Sequence, residues 1–162
     1  MFTPLPPPSG TVRDAVAFRA KMEQWKRHVR SKQHAVMREC MVDLLRRLVM
    51  ANPVGDWSQW KRYKENPHYK APDYVGGHSR RNWQIKTGPV AAELAGVDRS
   101  GTRTISQGRA AIARIPESQR KAWIVNPVPY MMELERGHSK IIPAGWIKRA
   151  LAETLAKYRK VK

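Results

Sequence analysis

From Thr11 to Ala51 the chain runs without a Gly or Pro, and nothing else in the sequence restricts the fold as much. A breaker-free stretch of that length, with apolar residues returning every three or four positions, reads as an α-helix. The recurring positions are Val12, Val16, Met22, Trp25, Val29, Val36, Cys40, Leu44 and Leu48, with some gaps a turn longer. Met37, Met41, Leu45 and Val49 widen the stripe in the second half, whereas the first half is thin. One long helix is therefore expected, with a bend near Ser31. Its second half should pack into the core, and its first half should project with a basic face. Thr11 offers an N-cap, with Asp14 three residues on, where a carboxylate suits the helix dipole. Asn52-Pro53-Val54-Gly55 stops the helix, since Pro53 disfavours helical geometry at Asn52 and lacks an N–H.

Ahead of this helix, Pro4, Pro6, Pro7 and Pro8 make residues 1–10 an extended arm, either a free tail or a strap on a neighbouring subunit. Behind it, residues 56–81 interleave Lys, Arg, Pro and Gly with Trp57, Trp60, Tyr63, Tyr69 and Tyr74. Cations and aromatic faces together suit single-stranded nucleic acid. They equally suit a long surface loop anchored to a partner chain, which is the preferred reading. Trp83-Gln84-Ile85-Lys86 alternates as a strand does, and Gly88-Pro89 closes it. Residues 90–94 fit no element clearly, and residues 98–101 form a polar turn. Residues 105–115 have helical spacing up to Pro116. Residues 121–125 read as a buried strand ended by Asn126-Pro127. Residues 129–135 read as a short helical turn with Tyr130, Met131 and Leu134 inward. Pro143 opens a last helix, residues 144–160, with Trp146, Ile147, Ala150, Leu151, Thr154 and Leu155 on its apolar side. The expected fold is α+β: a long N-terminal helix and a C-terminal helix packed on a small, mainly antiparallel sheet. Residues 11–162 form a single expected domain.

The charge balance is 31 Lys+Arg against 13 Asp+Glu, a net +18. Such a chain attracts polyanions, either nucleic acid or an acidic protein surface, and charge alone does not choose between them. The only cysteine, Cys40, sits among Met37, Met41, Leu44 and Leu45, where a free thiol acts as a small core side chain. No apolar run approaches the ~20 residues of a membrane span, and MFTPLPPPSG lacks the order of a signal peptide, so synthesis in a cytoplasm is expected. Chemistry-bearing patterns are missing. The five His are scattered and one Cys provides no zinc spacing, and neither a P-loop nor a GxGxxG occurs. Gly76-Gly77-His78-Ser79 has no nucleophile elbow with it and reads as a turn. Glu39 and Asp43 share a helix face, as metal ligands do, but exposed helical carboxylates are the ordinary case. No enzyme activity, cofactor or metal is expected.

Two runs carry a resemblance. One is Arg80-Arg81-Asn82-Trp83-Gln84, following the turn at Pro53-Val54-Gly55-Asp56. The other is the long ordered run from Asn126 to Trp146, which contains Pro129, Tyr130, Glu133, Glu135, Gly137, Ser139, Pro143 and Gly145. Together they resemble the tail-completion, or head–tail joining, proteins of tailed-bacteriophage necks over residues 36–158. The chain departs from that pattern at residues 56–79, a loop insertion, and in the arm and the front of the long helix. The resemblance implies a structural virion protein, made in the host bacterial cytoplasm. It implies a homo-oligomeric ring, six-fold or alternatively twelve-fold. The ring's neighbours would be portal or head-completion proteins on one side and tail terminator or tube proteins on the other, with DNA passing through the channel. Pro53, Asn82, Trp83, Gln84 and the named residues of the second run are then fold and assembly residues. In this reading Tyr130 buries its ring, Gly137 permits a turn, and Glu133 or Glu135 pairs with a basic residue. Arg27, Arg30, Lys61, Arg62, Lys64, Arg80 and Arg81 are the candidate contacts to a partner or DNA, with Lys26 and Lys32 beside them. A basic nucleic-acid-binding module is the alternative function.

Overall fold

The computed structural model describes residues 15–56, 65, 75–139 and 141–159. The proline arm, the Thr11 cap with Asp14, and the aromatic loop with Lys61, Arg62 and Lys64 lie outside those residues. The elements are α1 (Ala15–Ala51), α2 (His78–Arg81), β1 (Gln84–Lys86), α3 (Thr102–Ala113), β2 (Trp123–Val125), α4 (Met131–Glu135) and α5 (Trp146–Tyr158). β1 and β2 pair antiparallel, with Gln84 opposite Val125 and Lys86 opposite Trp123. The α+β class holds.

The long helix forms as its missing breakers require, and at ~1.5 Å per residue it extends roughly 55 Å. Its buried residues are His34, Met41, Leu45, Leu48 and Val49, and no residue from 15 to 33 is buried. The second half is packed and the first half projects. The stripe inferred from periodicity needs correction, because among its eight described positions only Leu48 is buried. Val16 is 77% exposed. The helix carries two apolar rows, and Leu48 with the widening residues of the second half forms most of its contact with the core.

That core joins Leu45, Leu48 and Val49 to Ile112, Ile115, Trp83, Met131, Trp146 and Ala150. α3 presents Thr104, Gly108 and Ile112, each one turn from the next, to α1. Gly108 is the point of closest approach, since a Cβ there would come within 2.2 Å of Leu45 Cδ2. Leu45 is fully buried and has nowhere to retreat. Across from α3, α5 docks on α1 through Trp146, Ala150 and Thr154, with Asp43–Lys157 (2.6 Å) and Arg47–Glu153 pairs along the seam.

Several inward assignments fail. Leu151 and Leu155 are 44% and 54% exposed, because α5 buries the narrower row Trp146, Ala150, Thr154. Tyr130 is 45% exposed, since the one-turn helix α4 turns Met131 inward instead. The second strand is half-buried, and residues 121 and 122 precede it. Cys40 is only half-buried, off the core-facing row, and burial together with the nearby Asp43 charge raises its thiol pKa.

Candidate functional site

The resemblance-bearing residues gather where α1 ends. Asn52 is fully buried at that end. Its Nδ2 donates to Ser79 Oγ at 2.7 Å, and its Oδ1 accepts from Trp83 Nε1 at 3.0 Å. The last carbonyls of a helix lack intrahelical donors. Arg80 supplies them, donating from Nε and Nη2 to Asn52 O (3.2 and 2.6 Å), from Nη2 to Met50 O (3.3 Å), and from Nη1 to Arg99 O. A cation there also complements the helix dipole.

Arg80 is therefore a helix cap, and as a partner or DNA contact it stays a proposal, like Arg81, which is 8% exposed. Both belong to the helical turn α2, not to a strand, and only Gln84 of the run from Arg80 to Gln84 enters β1. The turn begins at Gly77, whose φ of 108° is a glycine conformation. Gly76 stands so close to Gly55 that a Cβ would reach its carbonyl oxygen at 2.0 Å. Residues 55 and 76 thus lie side by side.

Asn82 and Gln84 hold the segment that follows β1. Asn82 accepts from Leu94 N (2.6 Å) and donates to Leu94 O (3.1 Å), imitating a strand partner. Gln84 donates to Ala92 O at 2.7 Å. These bonds give residues 90–94 their fixed path without an element of their own. His78 joins them through Glu93 Oε1 (2.6 Å, at Nε2) and Gly96 O (3.0 Å, at Nδ1). The bond to Glu93, then that to Gly96, raise the His78 pKa.

The second run locks onto the first. Asn126 Nδ2 donates to Ser79 O at 2.8 Å. The Trp83 and Trp146 rings meet edge to face, 6.2 Å between centroids. Glu135 is nearly buried and caps α5, accepting from Ile147 N (2.8 Å) and Lys148 N (3.3 Å), while its carbonyl accepts from Gly145 N (2.8 Å). Gly137 and Gly145 make this return at φ 92° and 78°. At Gly137 a Cβ would also press on Ala144 Cβ at 3.0 Å. Glu133 pairs on the surface with Arg136 and His138, both at 2.8 Å. Glu133 thus has the basic partners expected of it, whereas Glu135 serves a helix terminus. Ser139 accepts from Ile141 N at 3.1 Å.

Where the runs meet, Pro53, His78, Ser79, Tyr130, Leu134, Ser139 and Ile141 line a cleft of ≈ 280 Å³. Its walls are mostly apolar. Asp98 was missed as more than a turn residue. Its carboxylate accepts from Ser100 Oγ (3.1 Å), Gly101 N (2.9 Å), and Thr104 N and Oγ1 (2.7 and 2.8 Å), so it caps α3. Burial pushes its pKa up, but those hydrogen bonds outweigh burial and leave it lowered. The spacing Asp98-x-Ser100-Gly101-x-x-Thr104 ahead of a helix was the available signal.

Arg27 and Arg30 are exposed on the projecting half of α1, with Lys26 beside them, and Lys32 is half-buried there. Among the described residues no group of three His, Cys, Asp or Glu is placed to hold a metal, and no helix is long and apolar enough to cross a membrane. Comparison with protein-family models, with curated proteins and with solved structures gives no match.

Proposed function

We propose that this chain is a structural, non-enzymatic virion protein of a tailed-phage neck, a tail-completion subunit that joins the head connector to the tail within an oligomeric ring. The observation that carries the proposal is the interlock of the two resemblance-bearing runs. Asn82, Trp83, Gln84, Asn126, Glu135, Gly137 and Gly145 are far apart in sequence yet hold one unit, and their polar groups fix backbone and ring positions. Such residues serve a shape that must be presented to neighbours, as ring subunits with heterologous contacts require. The proposed neighbours are copies of itself, six or twelve, with portal-side and tail-side proteins above and below. Phage lacking this chain should accumulate DNA-filled heads and separate tails. Normal virions from that deletion would overturn the proposal.

The second reading, a basic nucleic-acid-binding module, is favoured by the net +18 and by the exposed Arg27 and Arg30. It requires DNA affinity that falls steeply with salt as counterions are released. Tight, salt-sensitive binding by a chain that joins no particle would select it.

A further inference from the structure

The middle of α1 and the segment that follows α3 enclose a small pocket of ≈ 230 Å³. Arg30, Gln33 and His34 line it from α1, where spacings of three and four residues put them on one helix face. Glu117 and Arg120 line it from the other segment. The volume is that of several waters, at about 30 Å³ each, which admits one tetrahedral anion.

His34 is the residue that an apolar or closed seam does not explain. It is 7% exposed, and its Nε2 has no hydrogen-bond partner. Buried polar nitrogens are almost always paired, because an unpaired one loses its hydration with nothing in return. The χ2 torsion of a His is broad, so a turn of the ring presents Nε2 to the pocket without moving the helix. The arginines indicate what class of group would meet it. Arg30 and Arg120 are both exposed, and neither is in an ion pair among the described residues. Two guanidiniums share the pocket with the unpaired imidazole, so a negatively charged acceptor suits all three. The guanidiniums come from two separate segments. Donors converging from different sides suit tetrahedral oxygens better than the flat fork of a carboxylate. Glu117 is the one acid in the lining, and it accepts from Ser31 Oγ at 3.2 Å. Its charge opposes an anion and limits how tightly one is held.

We propose that this pocket binds a phosphate group, with Arg30 and Arg120 supplying the charge and His34 Nε2 an inner hydrogen bond. The site is independent of the neck assignment and goes beyond it.

The test uses the full chain and inorganic phosphate, followed by NMR at the ring protons of the five His, with pH and ionic strength held constant. The His34 signal, identified by its loss in H34Q, should shift saturably with phosphate. Acetate should need a concentration at least about tenfold higher. R30Q/R120Q changes only exposed side chains and should weaken phosphate binding at least about tenfold. R19Q/R46Q, exposed on the same helix but outside the pocket, should leave it within about twofold. E117Q should tighten it about threefold or more. Phosphoserine and a thymidine dinucleotide, each competing with inorganic phosphate, separate a monoester from a diester as the source of the group. A His34 signal that ignores phosphate, an equal response to acetate, or binding untouched by R30Q/R120Q would overturn the proposal. So would failure of both esters to compete.

Discussion

The two halves of α1 share one continuous helix and almost nothing else. From His34 onward the helix supplies Met41, Leu45, Leu48 and Val49 to the core, meets α3 at Gly108 and is capped by Arg80. Before His34 no residue is buried, and cations border an apolar row. The contrast separates two causes that a helix usually merges. Backbone hydrogen bonding and the lack of breakers extend the helix through both halves. Burial among the described elements is confined to the second half.

The comparison breaks most visibly under core substitutions. Leu45→Ala should cost about 3 kcal/mol in urea unfolding, since it removes a fully buried side chain at the α1–α3 contact. Gly108→Ala should cost about 2 kcal/mol by overpacking against the same Leu45. Asp98→Ala should cost about 1–2 kcal/mol, because α3 loses its cap. The cost should shrink in acid. Asp98 has a lowered folded pKa, so its contribution is present above the unfolded value and is lost as pH falls through the folded one. His78 has the opposite sign. Its raised pKa means that the pairing with Glu93 stabilises fully below the unfolded value of about 6.5 and fades as pH rises through the folded value. Glu93→Gln should flatten that part of the stability–pH curve, measured by thermal melts. At the other extreme, Val16→Ala in the projecting half should change stability by less than about 0.5 kcal/mol. A large loss there would mean that the two halves are not distinct.

The sequence made the elements legible because breakers and periodicity are local signals. The end of α1 at Asn52-Pro53, the strand at residues 84–86, the helix ended by Pro116 and the last helix were all readable. Which row faces inward was not, because α1 and α5 each carry more apolar surface than the core accepts. Leu151, Leu155 and Val16 stand outside for that reason. The capping role of Arg80 was not legible, because charge counts do not register the unpaired carbonyls that a helix end brings near. Among the resemblance-bearing residues, Asn82, Gln84 and Glu135 have bonding roles that depend on partners eight to twelve residues away. Only the folded chain reveals those partners. Lys61, Arg62 and Lys64 lie outside the described residues.

The most direct test of the proposed neck assignment is to image, at subunit resolution, purified phage particles whose genome carries this sequence. The account predicts a closed ring of this fold at the head–tail junction, between connector and tail. Intact particles in which the junction is built without this chain would contradict it.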